Sequence, residues 1–265
     1  MPKLSAFEES RRFAVRSVPP LHSLRWLRAG WHDLLRCPMP GLLHGMALAA
    51  FGVLLFWTLR HQFWWLVGAF SGFLLVAPVL ATGIYALSRA LERGERAELA
   101  TAVLAWRLRH SRRVIFGLLL ALAGTGWVLT SASLITAFAD HPVRNPGEFM
   151  RVVVMAEKGY LFEIWLLLGG LLAAPVFASS VVALPLLVDR DIGVLAAVLT
   201  SWRVVMHNPE TMALWAALIM GLTLAGMASA LLGLIVVVPW LGHASWHAYR
   251  ELVDAGETPE APGAH

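Results

Sequence analysis

The chain has 265 residues, of which 58% are hydrophobic and 14% charged, and its mean hydropathy is +0.67. So few polar side chains cannot cover a water-soluble globule of this size, and the composition predicts an integral membrane protein. The net charge of +4 does not indicate a nucleic-acid partner, because the arginines cluster where apolar runs end. Orientation in a membrane and contact with anionic headgroups explain them better.

The apolar residues form five runs: Leu42 to Leu59, Phe63 to Leu87, Val114 to Ala139, Leu161 to Val188 and Met212 to about Tyr249. Each of the first four can cross a hydrocarbon core of about 30 Å as one helix, which needs roughly 20 residues. The last run is long enough for two short crossings with a tight turn. Hydropathy alone leaves the choice between five and six spans open.

A repeated pattern favours six spans. A glycine stands six residues before a proline within three apolar stretches, at Gly72/Pro78, Gly169/Pro175 and Gly233/Pro239. Pro78 and Pro175 lie in the second helix of a predicted hairpin, so we expect the same of Pro239 and place a turn near Gly226 to Gly233. A proline inside a helix kinks it, and three equivalent kinks indicate helices packed on a shared centre.

An amphipathic segment with a tryptophan precedes each hairpin, and Trp31, Trp106 and Trp202 are expected to anchor these segments in the membrane interface. In the first segment, apolar side chains at helical spacing oppose a basic side; the apolar set is Leu24, Leu27, Trp31, Leu34 and Leu35, and the basic set is Arg25, Arg28, His32 and Arg36.

We therefore predict an all-α membrane protein with six transmembrane helices, arranged as three repeats of an interfacial helix plus a transmembrane hairpin with pseudo-threefold symmetry. The expected order is a cytoplasmic N-terminal tail (1–20), repeat 1 (21–91), repeat 2 (92–188, with an outer loop at 140–160), repeat 3 (189–254) and a disordered tail (255–265).

Charge distribution predicts the orientation. On this topology 17 Lys and Arg residues lie on one side of the membrane and 4 on the other. By the positive-inside rule, the N- and C-termini are expected to be cytoplasmic. Residues 1–36 are polar and rich in arginine, so no cleavable signal peptide is expected before the first span.

Two sets of polar residues are candidates for a site. Thr82, Ser179 and His243 each follow a repeat proline by four residues, and pseudosymmetry would place them in one ring near the axis. They either bond to carbonyls that the kinks free or form a ligand or ion site. His243 and His247 project from one helix face and can hold copper or a haem iron, or else bond to backbone and headgroups as structural histidines.

Several chemistries are excluded or disfavoured. The single Cys37 excludes an internal disulfide and a cysteine-based metal cluster. No ionisable residue interrupts the middle of a predicted span, which disfavours a proton-coupled carrier. No nucleotide-binding, metalloprotease or serine-hydrolase motif occurs. We expect a non-enzymatic accessory or scaffold subunit with no required cofactor, in contact with the bilayer and with a membrane-protein partner or further copies of itself. The alternatives are a channel along the pseudo-threefold axis and a haem- or copper-binding protein.

Two stretches carry a resemblance to a known family. They are Leu27-Arg-Ala-Gly-Trp31-His-Asp-Leu34, followed by Pro38 and Pro40, and Gly242-His-Ala-Ser-Trp-His-Ala-Tyr-Arg250. From about residue 15 to 254 the chain resembles the predicted integral membrane proteins of domain of unknown function family 2189, found in proteobacteria. Some members are labelled as a cytochrome c oxidase subunit. The resemblance implies a location in a bacterial inner membrane. It also implies an accessory role beside a respiratory or other membrane complex, since His243 and His247 are too few for a haem-copper catalytic subunit.

Overall fold

The computed structural model describes residues 5–107, 110–156 and 159–256, without the side chains of residues 74–78 and 106–114. The chain is mostly helical, at 79%. The first elements are α1 (Ala6–Arg11), β1 (Ala14–Val15), α2 (His22–Arg36), α3 (Pro38–Leu59), α4 (Phe63–Leu80), α5 (Thr82–Glu92), α6 (Leu99–Arg107) and α7 (His110–Phe138). They are followed by α8 (Pro146–Phe149) with a π-helical turn (Met150–Val154), α9 (Leu161–Ser180), α10 (Ala183–Asp189), α11 (Val194–His207), α12 (Pro209–Ala228), α13 (Leu234–Leu252) and β2 (Val253–Asp254).

Four helical stretches in the described part of the chain are long and apolar enough to cross a membrane. They are Pro38–Leu59, Ile115–Phe138, Leu161–Asp189 and Pro209–Ala228. The expected class of all-α membrane protein is thereby confirmed. The count of six spans and the threefold repeat are not confirmed by these lengths and compositions, and they stay predictions.

The chain forms two compact units. Unit 1 comprises Met1–Ala49, Pro78–Phe116 and Phe177–His265, and unit 2 comprises Ala50–Ala77 and Gly117–Val176. In unit 2, Ile135, Val143 and Val153 form a buried cluster. Aromatic side chains pack against it, and Trp165 donates a hydrogen bond from Nε1 to Ser131 Oγ at 2.6 Å. Asn145 caps the N-terminus of α8, and its side-chain oxygen accepts a hydrogen bond from the Glu148 N–H.

Helix α13 is the centre of unit 1, where it packs on α2, α5, α10 and α12. Glycines allow the closest approaches. A Cβ added at Gly30 of α2 would lie 2.5 Å from the backbone nitrogen of Ala244, and one at Gly242 would lie 2.8 Å from Ile84. At Gly30 the backbones of α2 and α13 therefore touch, and at Gly242 the missing side chain leaves room for Ile84 of α5, as only glycine permits.

Two sets of helix contacts organise unit 1. First, α5 and α10, which follow Pro78 and Pro175, and α13, which contains Pro239, contact one another in all three pairs. Second, each helix from a predicted interfacial segment packs on one of these three: α2 on α13, α6 on α5 and α11 on α10. Each interfacial helix thus contacts the proline-containing stretch of a different repeat.

The proline-containing stretches are not alike in the backbone. Helix α4 ends at Leu80 before α5 begins, and α9 ends at Ser180 before α10 begins, whereas α13 runs without a break through Pro239. Pro185 lies in the first turn of α10, where its missing N–H is tolerated. Gly72 and Gly169 lie inside helices, but Gly233 precedes α13, within the turn predicted near Gly226 to Gly233. This turn is confirmed, while the equivalence of the third copy is not.

Residues 5–18, predicted only as a tail, are folded against the rest of unit 1. Ser5 and Glu8 form a capping box at the start of α1. Strand β1 pairs with β2 in an antiparallel ladder, and the Arg203 guanidinium donates to the carbonyls of Ser10 and Phe13. The segment is too short to show a periodicity that predicts its structure. Long-range contacts hold it in place. The predicted disordered tail covers residues 255–265, and its residues from 257 onward lie outside the described part of the chain.

Replacing Gly30 by Ala should destabilise the protein. The added Cβ would overlap the Ala244 backbone, and overpacking of this kind typically costs about 1–3 kcal/mol, more than the roughly 1 kcal/mol that Ala gains over Gly in a helix. Thermal unfolding in detergent measures the change. Gly221→Ala is the matched control, because a Cβ at Gly221 of α12 meets nothing within 4 Å. If both variants unfold at the wild-type temperature, the tight α2–α13 contact is wrong.

Candidate functional site

A buried polar group joins α2, α5 and α13. We call Asp33, Ser88, His243 and His247 the Asp33 cluster. Asp33 Oδ2 accepts from Ser88 Oγ at 2.9 Å and lies 2.8 Å from His247 Nε2, while Ser88 Oγ lies 2.7 Å from His243 Nδ1. One hydroxyl and one carboxylate therefore connect three helices and both histidines.

The donors in the Asp33 cluster follow from its geometry. A carboxylate can only accept, so the single proton of Ser88 is directed to Asp33. The hydroxyl oxygen must then accept from His243, which places the His243 proton on Nδ1. His247 likewise donates from Nε2 to Asp33. The cluster is thus a continuous chain of hydrogen bonds in which each of these contacts has one donor and one acceptor.

Burial and charge set the chemistry beside this chain. Burial by itself would raise the pKa of Asp33, but the hydrogen bond and charge of His247, with the Ser88 hydroxyl, hold this pKa below its usual value. Cys37 Sγ lies 4.0 Å from His243 Nε2. Burial, with the nearby Asp33 charge, raises the pKa of the Cys37 thiol to about 11. The thiol is therefore protonated and unreactive at neutral pH.

A second cluster lies where α5, α10 and α13 meet. We call Arg89, Asp189 and Tyr249 the Asp189 cluster, with one residue from each of these helices. Tyr249 Oη donates to Asp189 Oδ2 at 2.7 Å, and Arg89 Nε lies 3.3 Å from Asp189 Oδ1. Arg190 and Arg250 also approach the carboxylate, at 3.0 and 3.7 Å. Asp189 is buried, and these cations and the phenol compensate its charge.

Two glutamates on the edges of unit 1 complete the polar contacts of α13. Glu92 accepts from Trp246 Nε1 at 2.9 Å and from Arg250 Nε at 3.0 Å. Glu251 accepts from Trp26 Nε1 and bonds to His22 Nδ1 at 2.6 Å. The last three turns of α13 are therefore fixed to α2, α5 and α10 by directed polar bonds rather than by apolar packing alone.

The predicted ring residues have separate partners. Thr82 Oγ1 donates to the Val79 carbonyl at 2.6 Å, Ser179 Oγ accepts from Trp202 Nε1 at 2.9 Å, and His243 bonds to Ser88. Among the residues with described side chains, no hydrogen bond joins Thr82, Ser179 and His243 to one another. The ring stays a prediction.

The other predicted residues are placed as follows. Trp31 packs edge-on against Trp240, with ring centroids 5.2 Å apart. Pro175 and Pro239 lie inside α9 and α13. The side chains of Pro78 and Trp106 lie outside the described residues.

A metal or haem site at His243 and His247 stays a prediction. His243 bonds to Ser88 through Nδ1, and its Nε2 lies 4.0 Å from Cys37 Sγ, while His247 bonds to Asp33 through Nε2. Within the described ranges, no group of three or more His, Cys, Asp or Glu side chains is arranged to hold a metal ion. The bonds that are present fit structural histidines.

Sequence reasoning missed Asp33, Ser88, Asp189 and Tyr249. A signal for Asp33 existed: at 100° per residue, it shares the helix face of Trp26 and Gly30 rather than that of the arginines. An acid on a buried helix face needs a partner. Asp189 stands at the end of an apolar run, where the sequence pattern predicts a solvated residue. Its burial depends on contacts with residues that are distant in the sequence.

Replacing Ser88 by Ala should cost about 1–3 kcal/mol of unfolding free energy, because it leaves the His243 N–H without its acceptor and removes a donor to Asp33. Ser245→Ala is the control, since the Ser245 hydroxyl bonds only within α13, to the Leu241 carbonyl, and its loss should cost less than about 0.5 kcal/mol. Chemical unfolding in mixed micelles measures both. Equal losses in the two variants would contradict the cluster.

Cys37 should react with a thiolate-directed reagent at least about 100-fold more slowly in the folded protein than in the unfolded one, because it is buried and its thiol pKa is raised. The chain has one cysteine, so the labelled fraction measured by intact mass reports on this site alone. Equal labelling rates before and after denaturation would show that the Cys37 thiol is accessible in the folded protein and would contradict this prediction.

Comparison with known proteins agrees with the membrane class. No curated protein and no solved structure matches the chain. Residues 65–189, slightly less than half of the chain, match the family model described as "Predicted integral membrane protein (DUF2189)". The matched part contains Ser88, Arg89 and Asp189. It contains neither of the two stretches on which the resemblance was based, and it is shorter than the region of resemblance expected from the sequence, residues 15–254. Over residues 65–189, the chain is shown to match the family of predicted integral membrane proteins with domain of unknown function 2189.

Proposed function

We propose that the protein is a non-catalytic scaffold of a bacterial inner membrane that packs laterally against a larger membrane complex as an accessory subunit. The observation that carries this proposal is the Asp189 cluster. Arg89, Asp189 and Tyr249 tie together the ends of three helices; Asp189 and Tyr249 are buried, and the Arg89 side chain is 12% exposed. A rigid membrane scaffold needs directed bonds of this kind between its helices.

The polar side chains of unit 1 support a structural role over a catalytic one. A nucleophile or general base must reach a substrate. Ser88 and His243 are instead 1% and 0% exposed, and each is bonded to a neighbouring helix. The surface groove between residues 17–20 and 207–211 includes no member of either cluster.

The same contacts favour a scaffold over a channel. A solute path along the axis would pass between α5, α10 and α13, which contact one another in pairs. Their shared end holds the Arg89–Asp189 ion pair and the Tyr249 phenol. Opening a path there would separate a buried carboxylate from its cations, which is costly.

We infer six spans, with α4 and α13 crossing in addition to the four stretches named above. Residues 16–18 support this for α13. The Arg16 N–H donates to the Leu252 carbonyl at the end of α13, and Asn208, next to the start of α12, donates to the Arg16 carbonyl and accepts from the Val18 N–H. The two ends of the α12–α13 hairpin therefore lie at one level. If α12 crosses the membrane, α13 must return through the same thickness.

We further infer the three repeats at 21–91, 92–188 and 189–254. The cyclic order of contacts supports them, because α2 of the first repeat packs on α13 of the third, α6 on α5 and α11 on α10. Each interfacial helix thus packs on the returning helix of the preceding repeat. The cytoplasmic location of the basic side follows from the arginine distribution given above.

Partner contact is expected on the apolar outer surfaces of the spans. Leu122 of α7 is 69% exposed and Leu167 of α9 is 75% exposed. Lipid covers such side chains in an isolated span, and so can the helices of a neighbouring membrane protein. The scaffold proposal requires that one of these surfaces contacts protein.

Site-specific photocrosslinking in native membranes tests this proposal. A photoreactive residue at position 122 or 167 should give a discrete adduct with another membrane protein, identified by mass spectrometry. The same residue at the fully buried Leu186 is the control and should give no adduct with another chain. Adducts with lipid alone from both exposed positions would overturn the accessory role, and an adduct of twice the chain mass would assign a homo-oligomer instead.

A further inference from the structure

The structure divides the predicted apolar side of α2 into two parts. Leu27 and Leu34 are buried in unit 1, together with Trp26 and Gly30. Leu24, Trp31 and Leu35 remain 50%, 41% and 61% exposed. The amphipathic pattern in the sequence therefore covers two apolar surfaces, one buried against α13 and one exposed, on which Trp31 keeps an edge contact with Trp240 of α13.

The exposed side chains of α2 share one continuous surface. At 100° per residue they occupy an arc of about 140° around the helix axis. Trp31, Leu24 and Leu35 form one edge of this arc, and Arg28, His32, Arg25 and Arg36 form the other. We call these seven residues the α2 outer arc; all of them are exposed. Their arrangement is an apolar strip directly beside a basic strip.

The charge of the α2 outer arc has one sign. Asp33 is the only acidic residue of α2, and it is buried and bonded within the Asp33 cluster. The basic strip is therefore not neutralised by carboxylates of its own helix. Trp31 is held at the apolar edge by its contact with Trp240, and Trp240 donates to the Leu27 carbonyl at 2.7 Å.

The position of α2 in the chain indicates what binds the α2 outer arc. Helix α2 ends at Arg36, and α3, a candidate membrane span, begins two residues later at Pro38. The helix thus lies at a membrane boundary. Exposed leucines and a tryptophan beside arginines fit the boundary between acyl chains and headgroups. Positive charge that no carboxylate of α2 neutralises fits phosphate groups.

We propose that the α2 outer arc binds the anionic phospholipid headgroups of the leaflet in which it lies. Leu24, Trp31 and Leu35 enter the acyl boundary, and the three arginines contact phosphates. This inference is independent of the scaffold proposal, because it concerns a surface that neither buried cluster uses.

A lipid titration tests the proposal on the purified full chain. Protein in neutral detergent is titrated with phosphatidylglycerol or with phosphatidylcholine, and thermal unfolding is followed, since a ligand of the folded state raises the unfolding temperature. Phosphatidylglycerol should stabilise the wild type at lower concentration than phosphatidylcholine does. High salt should reduce this difference, because it screens exposed charges.

The triple variant Arg25→Gln, Arg28→Gln, Arg36→Gln should weaken the apparent affinity for phosphatidylglycerol by at least about tenfold, since each basic residue near an anionic surface adds to the attraction for its lipids. The control is Arg96→Gln, Arg144→Gln, Arg151→Gln, which removes the same charge from exposed arginines elsewhere and should keep wild-type affinity. If the triple variant does not fold, Arg28→Gln, at the centre of the arc, should show a smaller loss in the same direction.

Equal phosphatidylglycerol affinity of the wild type and the α2 variants would overturn the proposal. So would equal losses in the α2 and control variants, which would mean that total charge and not this surface decides binding. An acidic protein that copurifies with the wild type and is lost from the α2 variant, without a change in lipid affinity, would assign the surface to a protein partner instead.

Discussion

The structure of unit 1 depends on the compensation of one buried carboxylate, that of Asp189. A charge removed from water must be paired and hydrogen-bonded, or the fold loses more free energy than apolar packing supplies. Here the compensation comes from different helices: Arg89 from α5 and Tyr249 from α13, with Asp189 itself on α10. Because Arg89, Asp189 and Tyr249 come from three helices, these bonds form only when the ends of the three helices lie side by side.

The Asp33 cluster applies the same constraint to the interfacial helix. Asp33 fixes α2 in register on α13 through His247 and connects it to α5 through Ser88. Apolar side chains alone would let a helix slide by a turn over a neighbour, because leucine contacts are not directional. Close backbone approach at Gly30 requires a fixed register, and the cluster supplies it. Directed polar bonds and small residues therefore act together on α13.

Several features of the fold could be predicted from local patterns. Hydropathy indicated the membrane class, and the spans at Pro38–Leu59, Ile115–Phe138 and Pro209–Ala228 lie within or close to the predicted runs. The turn before Leu234 followed from the proline repeat. Most of the two polar clusters could not be predicted from local patterns, because the residues that pair lie far apart in the sequence. Asp33 pairs with His247, and Arg89 pairs with Asp189. Only the position of Asp33 on an otherwise apolar helix face gave a local indication of burial.

The sequence by itself thus determined which segments prefer lipid, where helices end and on which residues positive charge collects, since these properties depend on composition and on spacing within one helix. The tertiary structure alone decided that Ser88 lies between Asp33 and His243, and that residues 14–16 pair with residues 252–254. It also decided that three of the five residues on the predicted apolar side of α2, Leu24, Trp31 and Leu35, are exposed. The physical reason is that burial, partner choice and exposure are properties of pairs of helices, and a pattern along one helix does not specify its neighbour.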